Sequence, residues 1–163
     1  MTNTLYDNAV FFFATTRCRD EFHRFCQRFS LTTSSAHDIF EVIDHATGAI
    51  VHEEAELPAI LNWLDLNPGY GFDFYLVDGH DQIFTFSYLR DGYHVMSLPY
   101  RLADQDVLAE IIDEFNAIYG WGAGEDTPPP TSINEVKAIV DAMQSPFLRY
   151  RNGQFIWPNE SPH

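Results

Sequence analysis

The stretch FDFYLVDGHDQIFTFSYLRDGYHVMSLP, residues 72–99, decides the fold. It holds three segments, 72–77, 83–89 and 93–99, separated by Asp78-Gly79 and Asp91-Gly92. Asp-Gly between alternating apolar runs is a hairpin signal, because Gly supplies the positive φ that tight turns need. In the middle segment Phe84, Phe86 and Tyr88 alternate with Ile83, Thr85 and Ser87, so one aromatic face is directed to a core. The expectation is an antiparallel meander of three neighbouring strands.

Downstream, residues 104–119 read as the best helix of the chain. Val107, Leu108, Ile111, Ile112, Phe115 and Ile118 form a broad apolar face to cover the meander, with Asp104 as cap. The segment from Gly120 through Trp121, Gly122 and Gly124 to Pro128, Pro129 and Pro130 reads as a flexible, then stiff connector. Ser132 and Glu135 have capping-box spacing and open a helix that Pro146 stops. Residues 149–157 then read as a hairpin around Asn152-Gly153, the strongest turn signal in the chain.

Upstream, the apolar run Val10 to Phe13 marks a strand over 9–16. Phe22, Phe25, Cys26 and Phe29 give a helical stripe over 19–29. Residues 30–35 read as a loop. Strands at 39–44 and 49–53 flank a hairpin loop at His45 to Gly48, and Pro58 opens a short helix carrying Leu57, Ile60, Leu61 and Leu64. Hairpins dominate this order, so the class is α+β: a largely antiparallel sheet with about four helices. All 163 residues fit one domain, with 1–122 as main body, 123–131 as Gly/Pro linker and 132–163 as a helix–hairpin appendage.

Hydrophobic residues make up 45% of the chain, which excludes a disordered protein. Twenty-four acidic residues face nine basic ones, for a formal charge of −15. That balance argues against direct binding of a nucleic-acid backbone, which needs clustered cations. Two cysteines, Cys18 and Cys26, are too few for a disulfide scaffold and suggest a reducing compartment. No run reaches the roughly 20 apolar residues of a membrane span, and residues 1–8 carry no basic signal region, so a cytoplasmic protein without membrane contact is expected.

Motifs for chemistry are weak. Cys18 and Arg24 satisfy C-x5-R, but Asp20, Glu21 and Phe22 fill a segment that a phosphate cradle needs small and electropositive, so coincidence is the better reading. His23 and Cys26 lie one helical turn apart without the further ligands of a zinc site. His37-Asp38, His52-Glu53-Glu54 and Asp78-Gly79-His80-Asp81 set histidines beside carboxylates, and nothing in the sequence makes them converge. No catalytic residue, metal site or cofactor is assigned.

Charge distribution says more. Between Arg28 and Arg90 there is no Lys or Arg, while ten carboxylates occur. A second cation-free run, residues 102–126, places Asp106, Glu110, Asp113 and Glu114 on the outward side of the 104–119 helix. In size, acidity and presumed compartment, though in no motif, the chain resembles the immunity proteins of bacterial toxin systems. The resemblance implies a protein-binding inhibitor that occludes a basic toxin domain, and it carries over no functional residue. The chain's own residues then nominate Asp106, Glu110, Asp113 and Glu114 as a steering face and Trp121 as an aromatic anchor. Alternatives are a DNA-mimicking inhibitor and a small enzyme built on scattered His and Asp residues.

Overall fold

A computed structural model describes residues 9–33, 39–80, 82–99, 105–124, 126–142 and 147–156. Strands are β1 (Ala9–Thr16), β2 (Thr32–Thr33), β3 (Phe40–Ile43), β4 (Ile50–Glu54), β5 (Phe72–Val77), β6 (Ile83–Tyr88), β7 (Tyr93–Pro99), β8 (Tyr119–Gly124), β9 (Arg149–Arg151) and β10 (Gln154–Ile156). Helices are α1 (Glu21–Phe29), α2 (Leu57–Leu66), α3 (Gln105–Phe115) and α4 (Ile133–Val140). The Asp104 cap, His37-Asp38, Asp81 and the Pro146 stop lie outside the described residues.

Eight strands form one sheet in the order β10-β9-β8-β1-β7-β6-β5-β2, and every pairing is antiparallel. The meander β5-β6-β7 stands as its sequence requires, and the class is α+β. Hairpin β3–β4 is a separate two-stranded sheet.

Strand β1 is apolar from Ala9 to Ala14 because it runs through the middle of the sheet and is buried there on both faces. Phe11 and Phe13 enter the larger core with Phe84, Phe86, Met96 and the apolar stripes of α1, α2 and α3. Phe12 and Ala14 point the other way, into a smaller core with Val95, Trp121 and the Ile133, Val136 and Val140 stripe of α4.

Several expectations are corrected by this arrangement. Residues 120–124 are not a flexible connector but most of β8, bonded to β1 on one side and β9 on the other. The C-terminal helix and hairpin are correspondingly built into the sheet and its second core. Gly120 of β8 answers a close approach: a Cβ there would lie 2.8 Å from the Phe11 ring and 3.3 Å from Tyr150 Cβ. The 104–119 helix also ends earlier. Asn116 turns left-handed at φ 52°, the Ala117 N–H donates to the Ile112 carbonyl, and the chain enters β8. Thr32 and Thr33, read as loop, form a two-residue edge strand on β5.

The capping box at α4 is present. Glu135 N–H donates to Ser132 Oγ at 3.3 Å, and the Glu135 carboxylate accepts from Thr131 N–H at 2.6 Å. Asp91, in the β6–β7 turn, accepts from Ile133 N–H at 2.8 Å and ties this helix start to the meander.

Candidate functional site

The region between Arg28 and Arg90, devoid of cations in sequence, folds into hairpin β3–β4, helix α2, strand β5 and the loop between them. Arg17, at the end of β1, holds that loop in place. Its guanidinium donates to the carbonyls of Leu64 at 3.2 Å, Tyr70 at 2.8 Å and Leu89, and it lies 5.0 Å over the Tyr88 ring. Burial lowers its pKa from the ordinary arginine value, yet three carbonyl acceptors and an aromatic face suit a charged guanidinium.

Beside it lies a fully buried pair, His94 Nδ1 and Glu21 Oε2 at 2.8 Å, packed by Phe86 and Tyr88. Burial pushes the Glu21 carboxyl up to about 8 and, with the Arg17 charge adding to it, pulls the His94 imidazole down to about 3. Both groups are therefore neutral at pH 7, with the Glu21 hydroxyl donating to Nδ1. His94 Nε2 has no hydrogen-bond partner. This is a packed polar contact inside the core, closed to substrate.

The hairpin turns one face inward and one outward. Phe40 and Val42 are buried, with Phe40 against Phe72 and Phe74. On the same side His52 stacks flat on Trp63 at 4.4 Å and contacts Glu54 at 2.8 Å, which fixes the hairpin to α2. At the turn Asp44 Oδ1 accepts from Ala46 and Thr47 N–H, and Gly48 takes φ 72°. The outer face pairs Glu41 directly with Glu53 and Ile43 with Ile50. Ile43 is 51% exposed, Ile50 49% and Val51 40%.

A cleft of about 730 Å3 opens where the hairpin meets β5. Glu41, Ile43, Asp44 and His45 form the hairpin wall, and residues 69–71 with Phe72, Asp73 and Tyr75 form the opposite one. Arg90, Pro130 and Thr131 close one end. Asp73 meets solvent through the open mouth, while the walls still thin the water around its carboxyl enough to raise its pKa, against lesser opposing effects of Ser87 and His45. Ser87 stands opposite Asp73 on β6, is fully buried, and its hydroxyl lies near enough to that carboxyl to oppose the rise. Among the described residues no group of three or more His, Cys, Asp and Glu side chains converges to hold a metal.

The residues nominated from sequence are divided by the structure. Asp106, Glu110 and Asp113 are exposed along α3 and Glu114 is half-buried. The cation missing from the sequence around them comes from α1: Arg28 meets Glu110 at 3.0 Å and Glu114 at 3.6 Å. Asp106 and Asp113 keep no ion pair among the described residues. Trp121 is 1% exposed and stacks on Phe12 at 5.2 Å in the smaller core, across the sheet from α3. A surface anchor needs exposure, so Trp121 is a core residue.

The other candidates resolve into structural roles. Arg24 turns away from Cys18, donating to the Glu114 carbonyl and lying 5.1 Å over Phe115. Cys18 is exposed, and burial pushes the Cys26 thiol up to about 11, away from reactivity. Asp78 accepts from His80 and Gln82 N–H, which is turn chemistry. Sequence reading missed Arg17, the Glu21–His94 pair and the cleft. His94 was legible as inward-facing from its alternation with Met96 and Leu98; a partner 73 positions away was not.

Among the described residues no helix is long and apolar enough to cross a membrane. Compared with protein-family models, with curated proteins and with solved structures, the chain matches none.

Proposed function

We propose that this chain is an acidic protein-binding inhibitor that docks on a basic surface of a partner protein, as a bacterial toxin-immunity protein occludes a toxin domain. One observation carries the reading: the outer face of hairpin β3–β4. Glu41 and Glu53 stand directly opposite each other, beside a half-exposed cluster of Ile43, Ile50 and Val51. Like charges opposite across a strand pair are destabilising, and an apolar cluster in water forgoes its burial energy. Both features turn favourable under a partner that brings cations around an apolar contact. Asp106 and Asp113 add to the long-range field that speeds encounter with such a partner.

The test starts with capture of a partner from cells that encode the chain, at low and at high salt. Association and dissociation are then measured for the purified pair. Glu41→Lys with Glu53→Lys should slow association at least about tenfold at low salt and flatten its salt dependence. Ile43→Ser with Ile50→Ser should mainly speed dissociation. Equal rates for native and variant proteins, or a captured partner with an acidic contact surface, would retire the reading. Co-expression completes the test, since an immunity protein must suppress the growth defect its partner causes.

A further inference from the structure

We infer that the cleft between hairpin β3–β4 and strand β5 is an anchor site for one cationic side chain, guanidinium or ammonium, presented by the partner protein. The inference deepens the reading above and rests on it. At about 730 Å3 the cleft has room for a long side chain and its flanking backbone. Its walls combine carboxylates, Glu41 and Asp73, with aromatic rings, Phe72 and Tyr75. An organic cation is the chemistry that both halves favour: carboxylates take its hydrogen bonds, and ring faces attract its charge.

Among the described residues one Lys or Arg, Arg90, stands at the rim. Hydrogen bonds from Thr131 chiefly hold the Glu135 carboxyl below the ordinary range and the Arg90 charge adds to them, so part of the Arg90 field is already answered from α4.

Continuity decides between a free cation and a partner's side chain. Ile43 belongs both to the cleft wall and to the exposed apolar face of the hairpin. A protein covering that face therefore passes over the cleft mouth, and a long basic residue at the contact reaches in. In such an interface this residue is the buried charged anchor, and the hairpin face is the apolar contact around it.

The probe is N-acetyl-arginine amide, compared with its uncharged citrulline analogue, titrated into the full chain while backbone amide shifts are followed by NMR. We expect millimolar binding of the arginine amide, with shifts confined to residues 45–46 and 69–75. Citrulline should bind at least about tenfold more weakly. Asp73→Asn and Tyr75→Ala should each weaken arginine binding several-fold without changing the melting temperature, while Asp106→Asn leaves it unchanged. Equal binding of citrulline, or shifts centred on α3, overturns the proposal. So does spermidine binding a hundredfold tighter than the arginine amide, since the occupant is then a free polyamine. Asp73→Asn is finally measured against the partner itself. Loss of affinity there supports the anchor; unchanged affinity, with the hairpin variants still defective, removes the anchor and leaves the docking face standing.

Discussion

The eight-stranded sheet and the two-stranded hairpin spend the same residue types in opposite ways. In the sheet, aromatic side chains fill both faces of β1, and even a glutamate is admitted only as a neutral partner of His94. In the hairpin, isoleucine and valine face solvent beside carboxylates that repel one another. Burial free energy holds the first together, at about 25 cal/mol per Å2 of apolar surface removed from water. The second is fastened by its inner face alone, through Phe40, Val42 and the His52–Trp63 stack. A molecule that buries eleven of its fourteen phenylalanines yet leaves Ile43, Ile50 and Val51 half-exposed side by side has a scaffold and, on the present reading, a working surface.

The widest separation between the two regions should appear in stability. Trp121→Ala removes a ring stacked on Phe12 under α4 and should cost about 3–5 kcal/mol, since the surrounding strands cannot close the space. Ile50→Thr keeps a β-branched side chain on a half-exposed position and should cost no more than about 0.5 kcal/mol. Urea denaturation of the two variants reads both numbers. Comparable losses would mean that the hairpin is as much a part of the core as β8, and the contrast would fail.

That Trp121 belongs to the core was hidden for a physical reason. Sequence patterns report local geometry, and Tyr119-Gly120-Trp121-Gly122 carries the glycine content of a linker. Gly120 is required by Phe11 and Tyr150, which come from distant parts of the chain. The pairing of Glu110 and Glu114 on α3 was hidden in the same way. A run without cations looks unpaired along the chain, but Arg28, 82 positions away from Glu110, lies across the helix contact. Elements whose signal is self-contained were legible: the meander with its Asp-Gly turns, the Ser132–Glu135 box, the Asn152-Gly153 hairpin. The cleft was not, because its walls come from residues 41, 43–46, 69–73, 75, 88, 90 and 130–131, which only the folded topology brings together.

The buried pair gives the contrast a pH signature. Unfolded, a glutamate titrates near 4.5 and a histidine near 6.5; folded, Glu21 titrates near 8 and His94 near 3. Between pH 4.5 and 6.5 each state holds one proton on the pair, so its contribution is flat. From 6.5 up to about 8 the folded chain keeps a proton that the unfolded chain has released, and stability falls as pH rises. From 4.5 down to about 3 the unfolded chain takes up protons on both groups while the folded chain keeps one, and stability falls again. Glu21→Gln preserves a donor to Nδ1 but has nothing to titrate, so it should erase the alkaline loss, on the order of 1–2 kcal/mol between pH 6.5 and 8. Denaturation midpoints at pH 5.5 and pH 8 for both proteins check this. An equal alkaline loss in both would move the titrating group elsewhere.

The smallest expected effect bears most directly on function. Glu53→Lys turns the Glu41–Glu53 repulsion into an opposite-charge cross-strand pair on an exposed face. Such pairs contribute roughly 0.2–1 kcal/mol, so the variant should unfold at slightly higher denaturant than the native protein, with the gain shrinking as salt is added. Most surface substitutions do the reverse or nothing. If the native pair only solubilises the hairpin, the variant is a better-built protein with no other consequence. If the face is a docking surface for cations, the stabilised variant must bind its partner more weakly, because the added lysine now meets like charge. The two readings therefore agree on the denaturation curve and part on the association rate. A Glu53→Lys protein that is more stable and associates as fast as the native one would leave the carboxylate pair as solvated charge, and the hairpin would lose its claim to be the working surface.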